Sequence, residues 1–153
     1  MKIKLLLTVV VMAFSALSAT ADDKKADKAK ITKALEDYVL SWYLGDAGKI
    51  ESALDKKLRK IGWSKSSKTD FRGPHHMNFE QAKDFAPKWY KTTKIGKDGH
   101  LKIKIFEIVD KVATAKVEAY WGFDYVHLAK NEDGSWKIYN VIWQSWPDGK
   151  NKE

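Results

Sequence analysis

The stretch Gly122 to Trp143, GFDYVHLAKNEDGSWKIYNVIW, reads as two strands and a turn. Phe123 to Lys130 and Trp136 to Ser145 are rich in aromatic and aliphatic residues, and Asn131-Glu132-Asp133-Gly134 between them ends on Asp-Gly, a strong hairpin signal. The hairpin also carries the polar groups best suited to line a site. Successive side chains on a strand point to opposite faces, so Tyr125 and His127 share one face while Asp124 takes the other. Pairing Asp124 with His127 therefore requires a bulge, whereas pairing Tyr125 with His127 does not.

The same period of two runs upstream of the hairpin. Leu101, Ile103 and Ile105 alternate with Lys102 and Lys104, the pattern of a half-exposed strand. From Val112 to Trp121, Ala113, Ala115, Val117 and Ala119 form one face, and Thr114, Lys116, Glu118 and Tyr120 the other. Before these strands the period is helical. Ile31, Ala34, Leu35, Tyr38, Val39, Trp42 and Tyr43 make one stripe, which Gly45 ends. Asp46 caps a second, short helix with Ile50, Ala53 and Leu54 on its apolar side. Weak alternation over Leu58 to Trp63 predicts the start of the sheet, and Ser64 to Asn78 is irregular around Gly73-Pro74. Asn78 predicts the cap of a third helix bearing Phe79, Ala82, Phe85 and Ala86, with a stop near Pro87.

Both ends of the chain read differently from this middle. Lys2 and Lys4, the apolar run Leu5 to Phe14 and the closing Ala19-Thr20-Ala21 have the layout of a secretory signal peptide, with cleavage expected after Ala21 and a periplasmic or secreted product. The apolar run is shorter than the roughly 20 residues that span a bilayer, so no stable membrane anchor is expected after cleavage. Residues 22–30 read as a polar lead-in, 31–146 as the folded domain and 147–153 as a loose tail.

The chain of 153 residues has room for one domain. It contains no cysteine, which excludes disulfides, thiolate metal sites, a cysteine nucleophile and lipidation of a cysteine after the signal. The formal charge of +8 falls to +6 without Lys2 and Lys4, and its lysines are dispersed, which argues against nucleic acid as a partner. Seven Trp, six Tyr and six Phe supply material for aromatic walls as well as a core. Nucleotide-binding glycine loops and the Gly-x-Ser-x-Gly elbow are missing, and no cofactor is implied. His75-His76 lacks the spacing and companions of a metal site, so no metal is expected.

With the order α-α-β-α-β-β-β-β in hand, the chain resembles the nuclear transport factor 2-like superfamily, and within it the putative lumazine-binding branch. The words that carry the resemblance are ALEDYVLSWYLGDAGKIESAL, MNFEQAKDF, DYVHLAK and GSWKIYNVIW. It implies an α+β fold in which three helices pack in the concavity of a strongly curved, mostly antiparallel sheet, the cystatin-like cone. It also implies a homodimer through the outer sheet face. Superfamily members include isomerases, dehydratases and proteins without activity, so the fold alone does not choose a function.

Three readings of the hairpin follow. Tyr125 and His127 satisfy the structure around them, bind a polar edge of a ligand, or move a proton. Asp124 is a second catalytic candidate, because in the related isomerases a carboxylate inside the cone acts as base. Tyr38 and Trp42, one helical turn apart, are core residues that also suit a pocket wall. Asn140 and Trp143 point to opposite faces of the last strand, so one of them at most faces inward. The resulting expectation is an exported protein binding a small, partly apolar or aromatic molecule through Tyr38, Trp42, Tyr125, His127, Asn140 and Trp143. The alternative is a cofactor-free isomerase or dehydratase using Asp124 or His127.

Overall fold

The computed structural model describes the backbone of residues 2–152 and the side chains of residues 22–152, so the signal and cleavage expected over residues 1–21 lie outside the fully described residues. Three helices and six strands follow in the order α1 (Lys2–Leu44), α2 (Ala47–Ala53), β1 (Leu54–Ser64), β2 (Arg72–Met77), α3 (Phe79–Thr93), β3 (Leu101–Val109), β4 (Val112–Ala119), β5 (Gly122–Lys130) and β6 (Trp136–Ser145). The strands form one sheet in the order β2-β1-β6-β5-β4-β3. Every neighbouring pair is antiparallel except β1 with β6. This is the α+β arrangement expected, with β2 as an additional edge strand inside the segment Ser64 to Asn78.

Register shifts bend the sheet. One lies between Ile105 and Glu107 of β3 and another between His127 and Leu128 of β5, where β6 contributes an extra residue, Tyr139. Such insertions kink a strand and increase its twist. The helices occupy the concave side. Ile31, Leu35, Tyr38, Val39 and Tyr43 of α1 are fully buried in one cluster with Val117, Val126, Ile138 and Val141 of the sheet. Local chemistry sets the helix starts: the Asp46 carboxylate accepts from the Gly48 and Lys49 amides, and Asn78 with Gln81 forms a reciprocal capping box on α3.

Three expectations are corrected by packing. The helix α3 continues through Pro87 to Thr93. Proline costs about 3 kcal/mol in a helix interior, but the turn beyond it carries Trp89, whose ring meets those of Trp42, Tyr120 and Trp121. The lead-in 22–30 is part of α1 and is docked, because buried Asp27 accepts from the Trp136 indole at 2.9 Å and pairs with Lys130. The tail is also held: the Lys152 amide donates to the Tyr120 carbonyl at 3.0 Å, and the Lys152 ammonium lies 4.1 Å from the centroid of buried Trp146. Composition alone conceals these anchors because, apart from the Lys152–Trp146 contact, each depends on a partner more than 25 residues away. Among the described residues no helix is long and apolar enough to cross a membrane.

Candidate functional site

On the concave side, β5 and β1 each contribute one buried charge. Asp124 is fully buried between α1 and the sheet, and its neighbours on the same face, Val126 and Leu128, are core residues. On β1 the inward positions are Leu58, Lys60 and Gly62. Lys60 thus enters the interior by strand parity, although its sequence neighbours Ile61 and Trp63 are the more apolar.

These two charges meet at Tyr38 of α1. The Tyr38 hydroxyl donates to Asp124 Oδ2 and accepts from the Lys60 ammonium. Lys60 Nζ also donates to Asp124 Oδ2 at 3.2 Å, and the Trp121 indole donates to Oδ1 at 2.8 Å. Asp124 therefore has both carboxylate oxygens engaged. Burying an ion pair costs several kcal/mol per charge unless such bonds compensate it. Burial, followed by the Asp124 charge and its hydrogen bond, holds the Tyr38 phenol well above the ordinary range. Burial likewise lowers the pKa of Lys60, and the Asp124 carboxylate opposes that shift.

The ammonium is also surrounded by ring faces. Lys60 Nζ lies 5.1 Å from the ring centroid of Tyr38, 5.3 Å from Trp143, 5.7 Å from Trp121 and 5.8 Å from Trp42. A cation within about 6 Å of an aromatic face is attracted by the ring quadrupole. The rings pack edge to face among themselves, with Trp42 to Trp121 at 6.4 Å and Trp89 to Trp121 at 5.7 Å.

The ammonium and the tryptophan rings border a cavity of about 110 Å³ that is open to solvent at its mouth. Four of the seven tryptophans, Trp42, Trp89, Trp121 and Trp143, line it with Met77, Phe85 and Lys60. Among the described residues Lys60 is the only charged one of the lining. Gly62 makes room for one wall, since a Cβ there would sit 2.2 Å from Trp143 Cδ1. His75 of β2 stacks on Trp143 with centroids 6.3 Å apart and donates to or accepts from Ser64 Oγ at 2.9 Å, bracing that wall from the strand beside it. Among the described residues no group of three or more His, Asp and Glu is arranged to hold a metal.

The residues singled out from the sequence divide between the two faces. Tyr38, Trp42, Trp143 and Asp124 lie on the concave side. Tyr125 and His127 share a face as parity requires, but it is the outer one: both are exposed, Tyr125 at 52%. Asn140 joins them there, paired with His127 across the strands and 3.1 Å from its Nδ1. Tyr125, His127 and Asn140, expected among the ligand-binding residues, therefore stand away from the concave cavity, because Val126 and Leu128 take the core side of β5. Lys60, Trp121, Trp89, Phe85 and Met77 were missed. Lys60 had one usable signal, its period-two relation to Leu58, but a lysine between Arg59 and the apolar Ile61 reads as solvent-facing.

A profile of the family described as "Putative lumazine-binding" matches residues 26–144. No match is found among curated proteins. Solved structures similar to the chain include a nuclear transport factor 2-like protein of unknown function from Silicibacter pomeroyi, at TM-score 0.62 and 17% identity, covering 80% of this chain and 98% of that one. Another is described as a putative scytalone dehydratase from Novosphingobium aromaticivorans, at TM-score 0.57 and 10% identity, with 82% and 88% covered. A cystatin-like protein of unknown function from Nostoc punctiforme aligns at TM-score 0.54 and 15% identity, over 78% and 91%. At these identities the structural likeness establishes the fold and nothing finer.

Proposed function

Since the chain belongs to the family described as "Putative lumazine-binding", we propose that it is an exported small-molecule-binding protein whose ligand occupies the aromatic cavity between helices and sheet. The observation that carries this reading is the cavity itself, walled by four tryptophans with one cation at its edge. Ligand sites combine such apolar walls with a few placed polar groups. Proton transfer has less support: Asp124 has both oxygens engaged and does not line the cavity, while His127 faces outward. The test is a crystal soaked with para-bromophenol. Bromine density between Trp42 and Trp143 supports the reading, and an empty cavity beside occupied surface grooves refutes it.

Export rests on the layout of Lys2, Lys4, Leu5 to Phe14 and Ala19 to Ala21. The intact mass of the protein isolated from its cell envelope should correspond to a chain beginning at Asp22. The outer sheet face is proposed as a homodimer interface, because Phe106, Tyr125 and Ile142 stand 47%, 52% and 46% exposed on it and Phe106 stacks on Tyr125. Sedimentation should give a dimer that Ile142→Asp converts to a monomer.

A further inference from the structure

We infer that the ligand of this cavity is a single-ring, uncharged molecule carrying one hydrogen-bond acceptor, which it presents to Lys60. The inference rests on the ligand-binding reading above and specifies its chemistry. Three observations lead to it.

The first is size. An apolar cavity of about 150 Å³ accommodates benzene, and this one, at about 110 Å³, is somewhat smaller and open at its mouth. The space beside Trp42, Trp121 and Trp143 is therefore on the scale of one flat ring that reaches into the mouth. A two-ring pteridine exceeds it and would carry one ring into solvent.

The second is the hydrogen-bonding capacity left at the wall. An ammonium has three N–H donors. Lys60 directs one to the Tyr38 hydroxyl and one to Asp124 Oδ2, and the third has no acceptor among the described residues. Among the described residues the buried Trp42 indole N–H, on a ring that lines the same cavity, likewise makes no hydrogen bond of ordinary geometry, its neighbour being the Tyr38 hydroxyl that already serves Lys60 and Asp124. Buried donors in native proteins are nearly always matched. Both unmatched groups here are donors, so the complementary ligand atom is an acceptor. A hydroxyl or amine acting as donor finds nothing in the lining to receive it except the Met77 sulfur, a weak acceptor.

The third is charge. The Lys60 ammonium is already neutralised by Asp124, at 3.2 Å. A carboxylate ligand would add an uncompensated negative charge to a site whose other walls are aromatic, and its desolvation would be opposed by the nearby Asp124 charge. A carbonyl oxygen or ring nitrogen receives the free N–H without that cost.

The experiment compares three ring probes of similar size on the wild-type chain by calorimetric titration: ethylbenzene without an acceptor, acetophenone with a neutral one, and benzoate with an anionic one. Acetophenone should bind at least about 10-fold tighter than ethylbenzene, the effect of one hydrogen bond to a charged group. Benzoate should bind at least about 10-fold more weakly than acetophenone. The preference for acetophenone over ethylbenzene should shrink in Trp42→Phe, which keeps an aromatic wall and removes the unpartnered donor. Equal binding of ethylbenzene and acetophenone would overturn the acceptor inference while leaving the ligand-binding reading intact. Tightest binding by benzoate would overturn the neutral-ligand inference. Failure of all three probes would count against the ligand-binding reading, and the inference would fall with it.

Discussion

The two faces of β5 carry polar residues one position apart, and the fold uses them in opposite ways. On the concave face, Asp124 is fully buried and accepts from Tyr38, Lys60 and Trp121. On the outer face, Tyr125 and His127 are exposed, and His127 makes one cross-strand contact with Asn140. The inner groups are buried and hold each other in place, because a buried polar group is costly unless it is hydrogen-bonded. The outer groups have water and need no such network. A polar residue on this strand is therefore informative in proportion to its burial, and Asp124 with Lys60 identifies the working face better than the Tyr125–His127 pair does.

The sharpest way to break this contrast is to remove the buried acid. Asp124→Ala leaves the Lys60 ammonium, the Tyr38 hydroxyl and the Trp121 indole without their acceptor, and loss of one partner from a buried pair costs about 3–5 kcal/mol. Urea denaturation should show this loss. If Asp124→Ala unfolds at the wild-type urea midpoint, the network does not hold the fold. A smaller effect is expected at the wall of the cavity. In Gly62→Ala the new methyl would overlap the Trp143 indole, so the ring must move, at about 1–3 kcal/mol. The same variant should lower affinity for cavity probes, whereas a purely local strain would leave affinity unchanged.

Alkaline pH separates the faces by a different route. The folded Tyr38 pKa lies above its unfolded value of about 10. The stability linked to its proton is therefore complete below pH 10 and is lost as the pH rises from there toward the folded value. Over that window the wild type should lose up to about 1.4 kcal/mol per pH unit more than Tyr38→Phe. Parallel stability curves for the two proteins would mean that the phenol is not confined as described. The smallest effect belongs to the outer face: His127→Ala should stay within about 0.5 kcal/mol of wild type in the same urea assay.

The sequence carries much of this contrast and omits a definable part. Alternation along β5 separates Asp124 from Tyr125 and His127, and its apolar members Val126 and Leu128 lie on the Asp124 side. That side is the core side, so the inward direction was encoded in the residues flanking the acid. The stripe from Ile31 to Tyr43 marks the inner helix for the same reason, since an apolar face has to be covered. Lys60 was not legible, because nothing within β1 announces that a lysine will meet an aspartate 64 residues later. The continuation of α3 past Pro87 was hidden in the same way, since it depends on Trp42 and Trp121 receiving Trp89. Local pattern reports which face a residue occupies. Partners distant in the chain decide what that face does.

The most direct test of the inner face as the binding face is a titration with para-bromophenol followed by proton–nitrogen correlation spectra. The account predicts that the indole signals of Trp42, Trp121 and Trp143 move together with one dissociation constant, while the backbone amides of Tyr125 and His127 stay in place. Movement confined to Tyr125, His127 and Asn140, with the three indoles unchanged, would contradict it.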